Sequence, residues 1–174
     1  MKITDVKTFI MRGIARNWLF VKIDTAEGIH GWGEGTLEGQ EKSVKQTVLH
    51  YAPRLIGEDP TPIERHWQIL YRHGFWRGGV VLNSALSAID MALWDIQGKA
   101  LGVPVYRLLG GPMRDRIRAY SHAGTPEIAA QLVELGFTGV KTGGYYATRI
   151  LTSERFPRNS ETTSPQFDRQ SAQT

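Results

Sequence analysis

Residues 84–111, SALSAIDMALWDIQGKALGVPVYRLLGG, decide the fold of this chain. The helical pattern begins just before this segment, at about residue 82, and its apolar side chains recur at alternating steps of three and four residues. That spacing places them on one stripe of a helix. The stripe consists of Leu86, Ile89, Leu93, Ile96 and Ala100. Gly102 and Pro104 then stop the helix. The segment therefore predicts a long helix over residues 82–101 that buries one side.

The residues before this helix predict an antiparallel meander followed by two shorter helices. Strands are expected at residues 2–12, 18–25 and 29–33, where β-branched and aromatic residues are spaced by polar ones. A helix is expected over residues 40–55. Another begins at Thr61, which we expect to cap a helix that has Pro62 at its first position and Glu64 three residues after the cap.

The residues after the helix predict a different architecture. A strand at residues 117–121, a helix over 125–135 and a strand at 137–142 form a βαβ unit, which implies parallel pairing. One such unit cannot cover both faces of a parallel sheet, so further units are expected. From residue 147 the periodicity vanishes, and we interpret 147–174 as a disordered or frameshifted tail.

Composition excludes several classes of function. The net charge is +4, but the basic residues are scattered among acidic ones, so no nucleic-acid surface is expected. No stretch approaches the roughly 18 apolar residues of a membrane span, and the first residues do not form a signal peptide. The chain has no cysteine, so disulfides and thiolate metal sites are excluded. We therefore expect a cytoplasmic protein.

The segment 84–111 closely resembles the mandelate racemase/muconate lactonizing enzyme branch of the enolase superfamily. Upstream, GWGE at 31–34 and GFWRGG at 74–79 resemble its sugar-acid dehydratases of the galactonate and mannonate type. The resemblance covers about residues 1–142. It implies an α+β capping domain over 1–112 and the start of a TIM barrel, incomplete, over 113–146. A complete barrel needs about 200–250 residues.

The resemblance also implies a chemistry. Such enzymes remove a proton α to a carboxylate, Mg²⁺ stabilises the resulting enediolate, and a Lys or His acts as base. Three carboxylates on the third, fourth and fifth barrel strands hold the metal, and this sequence contains none of those strands. The chain is thus interpreted as the N-terminal fragment of a galactonate dehydratase-like enzyme that acts on a sugar acid, inactive alone and binding no Mg²⁺, with no catalytic or metal residue of its own.

Two alternatives stay open. The chain is a non-catalytic interaction protein built on the capping domain, or it is a fragment of a racemase or lactonizing enzyme. A capping domain without its barrel exposes an apolar face, which predicts self-association.

Substrate-binding candidates follow from the resemblance. In the first loop of the capping domain, after the first predicted strand, they are Arg16, Asn17 and Trp18. Of these, Arg16 suits a carboxylate by its bidentate geometry. Glu38 lies in the second capping loop, after the third predicted strand. His122 follows the first barrel strand and Lys141 ends the second, although Lys141-Thr142-Gly143 departs from the Lys-x-Lys pattern of many relatives.

Several other conspicuous residues are expected to be structural. Asp90 and Asp95 lie on the long helix, where carboxylates normally make hydrogen bonds within the fold. Trp67, Trp76 and Trp94 are expected to pack in the interior.

Overall fold

The computed structural model describes residues 1–14 and 16–142. The chain divides into two units, the first covering Met1–Asp115 and the second beginning at Arg116. The tail predicted at 147–174 lies outside the described residues, as does Gly143.

The first unit opens with a three-stranded antiparallel sheet. Its strands are β1 (Ile3–Arg12), β2 (Asn17–Thr25) and β3 (His30–Glu34), in the order β1-β2-β3. Leu19, Val21 and Ile23 alternate along β2 and are fully buried, which places them on the face that packs against the helices. The predicted meander is thus present, and each strand begins and ends within a few residues of its predicted position.

Four helices follow the sheet. They are α1 (Glu41–Tyr51), α2 (Ile63–Arg72), α3 (Val80–Leu101) and α4 (Val105–Leu108). A short 3₁₀ helix, Ala52–Arg54, follows α1, so the single helix predicted over 40–55 is divided. Pro53 within that segment lacks the N–H that a continuing α-helix would use, which accounts for the change.

The predicted cap of α2 is wrong. The helix begins at Ile63 with Pro62 in the capping position and no side-chain hydrogen bond there. Thr61 is instead part of the preceding turn, where its N–H donates to the Asp59 carboxylate at 3.1 Å. Because Asp59 forms this turn immediately before the helix, Thr61 does not take the capping role that its sequence context suggested.

Helix α3 is the centre of the core. Leu86, Ile89, Leu93 and Ile96 of the predicted stripe are buried. Ala100 is exposed, so the stripe prediction is wrong there. The last turn packs through Gly98 instead, where an added Cβ would lie 2.9 Å from the Val103 carbonyl oxygen.

A second buried row on α3 faces the sheet. It comprises Ala85, Ala88 and Ala92. The backbone of β3 approaches this row so closely that a Cβ on Gly31 would lie 1.9 Å from the Ala92 carbonyl oxygen, and one on Gly33 1.8 Å from that of Ala88. Small residues on both sides therefore allow the strand and helix backbones to touch.

The tryptophans differ in their surroundings. Trp67 and Trp94 pack partly against the core, as expected. Trp76 is 85% exposed, so its predicted packing role is wrong. It lies in the glycine-flanked loop between α2 and α3, stacked edge-on against Phe75, which is itself exposed.

The second unit contains β4 (Ser121–His122), α5 (Pro126–Glu134) and β5 (Val140–Lys141), and β4 pairs with β5 in parallel. Both strands are shorter than predicted. Before β4, the Arg118 side chain donates to the hydroxyl and the carbonyl oxygen of Thr138, at 2.6 and 2.5 Å. These side-chain bonds hold the two segments together where the prediction placed strand residues.

Candidate functional site

The two predicted capping loops meet in the first unit. Arg16, in the β1–β2 loop, forms an ion pair through Nη1 with Oε1 of Glu38, in the loop between β3 and α1. The Arg16 guanidinium also lies 5.7 Å from the centre of the Trp18 ring. Three of the four candidates in these loops therefore form one cluster, which we call the Arg16 cluster.

Two hydrogen bonds made by the Leu19 backbone bring the loops together. The Leu19 N–H donates to the Thr36 hydroxyl at 3.1 Å, and the Gly35 N–H donates to the Leu19 carbonyl at 2.9 Å. The residues that follow β3 are thus attached to the first part of β2, next to Trp18. Glu38 is carried to Arg16 by this attachment.

The β1–β2 loop is tight. The Gly13 N–H donates to the Arg16 carbonyl at 2.9 Å, and a Cβ on Gly13 would lie 2.9 Å from Nε1 of Trp18. The indole therefore occupies the space that a side chain at position 13 would need. Asn17 begins β2 opposite Arg12 and is exposed beside the cluster, with no side-chain hydrogen bond among the described residues.

The Arg16–Glu38 pair is open to solvent, with the two side chains 49% and 64% exposed. Exposed ion pairs contribute about 0–1 kcal/mol to stability, because water screens them. The pair is therefore of little value to the fold. A carboxylate ligand could replace Glu38 at the guanidinium at small cost and would gain a charge-assisted, bidentate contact.

A hydroxyl-rich cavity that the sequence did not indicate lies beside the Glu38 loop. It has a volume of about 510 Å³ between residues 34–37 and the start of α3. Glu34, Thr36, Asn83, Ser84 and Ser87 supply its polar lining. The signal that would have revealed this cavity is the spacing of Asn83, Ser84 and Ser87. It places short polar side chains on one side of the first helical turns.

The remaining two candidates lie together in the second unit. His122 and Lys141 are directly opposite each other in the parallel pair, and the Ala123 N–H donates to the Lys141 carbonyl at 2.9 Å. Both side chains are exposed. Each ends its strand, so both lie at the carboxyl edge of the pair, where parallel α/β folds carry their functional groups.

Asp95 is structural, as predicted. Its Oδ2 accepts from the Trp32 backbone N–H at 2.9 Å and from Lys99 Nζ at 2.7 Å. Asp90 makes no ion pair within the part of the chain that the structure describes. Burial, with a further contribution from the Glu64 charge, raises the pKa of Asp90 above its usual range.

Residues 8–110 match the family described as mandelate racemase / muconate lactonizing enzyme, N-terminal domain. The chain belongs to this family. The resemblance inferred from the sequence is confirmed, and the fold of the first unit is the N-terminal capping fold of the enolase superfamily.

Curated relatives include the D-galactonate dehydratases of Pectobacterium atrosepticum and Xanthomonas campestris. The first is 48% identical over 161 residues and the second 47% over the same length. Each match covers 89% of this chain and 41% of the relative. The chain therefore spans less than half the length of these curated relatives.

Solved structures give the same fold. An enolase of Pantoea ananatis with bound D-gluconate and Mg is 43% identical, with a TM-score of 0.77 over 82% of this chain and 36% of that one. An enolase of Agrobacterium radiobacter, named as a putative galactarate dehydratase, is 35% identical with a TM-score of 0.76 over 82% of this chain and 38% of its own.

The Mg of the Pantoea ananatis enolase has no matching ligand group in the residues described. Within 1–14 and 16–142, no group of three or more His, Asp or Glu side chains could hold a metal ion. The side chains present therefore do not fit a magnesium site. In the same part of the chain, no helix is both long and apolar enough to cross a membrane.

Proposed function

We propose that residues 1–112 are the capping domain of a Mg²⁺-dependent dehydratase that acts on a sugar acid of the galactonate type, and that residues 113–146 begin its barrel. The observation that carries the proposal is the Arg16 cluster, an exposed guanidinium held by a replaceable carboxylate, in a chain 46–48% identical to D-galactonate dehydratases. A sugar acid offers a carboxylate for Arg16, and hydroxyls for the cavity at Thr36 and Ser84.

The cluster supplies recognition rather than chemistry. Arg16 binds the substrate carboxylate, the Trp18 ring covers one side of it, and Glu38 returns to Arg16 when the site is empty. In the second unit, His122 and Lys141 are placed at a strand edge where they could hold or transfer a proton. The described residues offer no group that could hold magnesium, and on this proposal the 174 residues alone are expected to be inactive.

A chimera tests the proposal. Residues 1–142 would replace the matching part of the Pectobacterium atrosepticum D-galactonate dehydratase, and the chimera would be assayed with D-galactonate and Mg²⁺. We expect turnover by the chimera and none by the 174-residue chain. Arg16→Ala in the chimera should raise KM more than it lowers kcat, because the interaction is made with the bound substrate as well as with the transition state.

One control variant makes the outcome clear. Arg114→Ala removes an exposed arginine outside the cluster and should leave KM unchanged. A folded chimera without activity toward D-galactonate, D-gluconate or galactarate would contradict the proposal, and so would magnesium-dependent turnover by the 174-residue chain alone. The self-association expected of an isolated capping domain, and the cytoplasmic location, stay predictions.

A further inference from the structure

Strand β1 forms one edge of the three-stranded sheet, and no described strand lies on its outer side. The opposite edge is covered, since the Trp32 N–H of β3 donates to the Asp95 carboxylate of α3. The start of β1 is covered too. The Ile3 N–H donates to the Glu58 carbonyl at 2.9 Å, and the Gly57 N–H donates to the Ile3 carbonyl at 2.8 Å. The part of β1 that follows therefore decides whether this edge can accept another strand.

The register of the sheet shows which backbone groups of β1 point outward. Leu19 lies opposite Ile10. Its N–H and its carbonyl both bond to residues 35–36, on the side of β2 away from β1. Leu19 and Ile10 are therefore a pair that exchanges no backbone hydrogen bonds, and the N–H and C=O of Ile10 point away from β2. Because this direction alternates along a strand, the same holds for three more residues. They are Val6, Thr8 and Arg12.

Three of these outward-facing residues keep both backbone groups free. The Val6 N–H is taken, since it donates to Oδ1 of Asp5 at 2.8 Å. For Thr8, Ile10 and Arg12, no described residue accepts from the N–H or donates to the C=O. The free pairs of groups thus recur at every second residue and are symmetric about Ile10. Unpaired edge groups of this kind are a template for another strand.

A second copy of the same strand is complementary to this set. When two β1 strands run antiparallel with Ile10 opposite Ile10, Thr8 lies opposite Arg12 and every one of these N–H groups meets a C=O. A register shifted towards the start of the strand needs the N–H that Asp5 already holds. One shifted towards the end pairs Thr8 with Ile14, which lies beyond β1.

The apolar side chains suit the same register. Phe9 and Met11 are 43% and 58% exposed, and each lies opposite the other across the junction, where a sulfur–aromatic contact is favourable. Ile10, which is 39% exposed, lies opposite its own copy. Pairing would therefore cover apolar surface that the rest of the first unit leaves open to water.

The charges on β1 favour a second copy over an acidic extended peptide. Lys7 is already paired, with its Nζ 3.3 Å from Asp5 and 2.8 Å from Asp24. Arg12 would lie opposite Thr8 of the other copy, so like charges do not face each other in this register. An acidic peptide would find only Arg12 available among the described basic residues of β1.

We propose that two copies of this chain pair through residues 8–12 of β1, antiparallel about a twofold axis at Ile10, so that their sheets join into one. The contact is isologous, because each copy supplies the same strand. It uses the edge of the sheet and none of the side chains of the Arg16 cluster, so it is independent of the proposed substrate.

Amide exchange tests the pairing on the unchanged 174-residue chain. Sedimentation velocity should show a dimer whose fraction rises with concentration. In the ¹⁵N-labelled chain, the N–H groups of Thr8, Ile10 and Arg12 should exchange about tenfold more slowly at high concentration than at low, since pairing protects them. The N–H groups of Lys7 and Phe9 face β2 in both states, so their exchange is the internal control.

Charge substitutions test the position of the axis. Ile10→Lys and Ile10→Glu should each weaken dimerisation about tenfold, because like charges then lie directly opposite. A mixture of the two variants should pair again, since opposite charges then meet. Leu49→Lys is the matched control, because Leu49 is 38% exposed but lies on α1, and dimerisation should not change. Far-UV circular dichroism checks that each variant folds.

A proline tests the backbone groups themselves. Thr8→Pro removes an outward N–H and leaves the bonds to β2 in place, which is the position that proline tolerates in an edge strand. It should weaken dimerisation about tenfold, since symmetry removes one hydrogen bond on each side of the axis.

Several results would overturn the proposal. One is a monomer at every concentration. Another is a dimer in which the Thr8, Ile10 and Arg12 amides exchange as they do in the monomer, because the copies then associate through another face. Equal dimerisation of Ile10→Lys and Leu49→Lys, or failure of the mixed Ile10 variants to pair, would also contradict it. If the variants do not fold, amide exchange in the unchanged chain still decides.

Discussion

Replacing Gly33 by alanine should destabilise the first unit strongly. The added Cβ would lie 1.8 Å from the carbonyl oxygen of Ala88 and 2.8 Å from its carbonyl carbon. Non-bonded heavy atoms need about 3.5 Å, so β3 and α3 would have to separate by about 1.7 Å. Neither atom belongs to a side chain that can rotate away, so the whole helix or strand must move.

The expected loss is about 2–3 kcal/mol. Overpacking of a core costs about 1–3 kcal/mol and occasionally more, and a backbone clash belongs at the upper end. Alanine also restricts the unfolded chain, and this effect stabilises the folded state by about 0.4–1 kcal/mol. The remaining cost is a large part of the stability of a small domain, which is about 5–15 kcal/mol.

Urea unfolding followed by far-UV circular dichroism measures this loss. With a slope of about 2 kcal/mol per molar urea, the midpoint should fall by about 1 M. Gly74→Ala is the matched control, because position 74 lies in an α2–α3 loop where the nearest atom to an added Cβ is 3.4 Å away. Equal midpoints for Gly33→Ala, Gly74→Ala and the unchanged chain would refute the close approach of strand and helix.

Three further results are expected. Glu38→Gln should change the free energy of unfolding by less than about 0.5 kcal/mol, since the pair with Arg16 is exposed; a larger loss in urea unfolding would mean that the pair supports the fold. Asp90 has a raised pKa, so the folded state holds its proton to higher pH than the unfolded state. Stability should fall as pH rises from near 3.8 through the raised pKa, and Asp90→Asn should remove that slope in unfolding measured from pH 4 to 7; parallel slopes would contradict this. Thr125→Ala removes the side-chain acceptor of the Ile128 N–H and should cost α5 about 1 kcal/mol, seen as faster amide exchange in that helix; unchanged exchange would show that the cap is not used.

Local patterns predicted most of the elements of the first unit. The three strands and the α3 stripe follow from periodicities of two and 3.6 residues, which depend only on near neighbours. The row of alanines on the other side of α3 was missed, since alanine carries little hydrophobic signal. Its burial depends on Gly31 and Gly33, which lie more than fifty residues earlier and allow the backbones to touch.

The Arg16 cluster shows a similar limit. The resemblance indicated Arg16 and Glu38 separately, but their contact depends on bonds between Leu19 and residues 35–36 that no local pattern encodes. An open groove between α2 and α3 was missed for the same reason. Glu64 and Asp90 both line it but lie on different helices, so they come near each other only after those helices pack.

One set of contacts connects the segment 84–111 to the candidate site. Strand β3 is at the edge of the sheet, and no other strand of the described residues pairs with its outward N–H and C=O groups. Helix α3 supplies the partners: Asp95 accepts from the Trp32 N–H at 2.9 Å, and Lys99 donates to the His30 carbonyl at 2.8 Å. The helix thereby closes this edge to further strands while it holds β3 in place. Because β3 leads directly into the loop that carries Glu38, the side chains that stop the sheet from growing also determine where that loop begins.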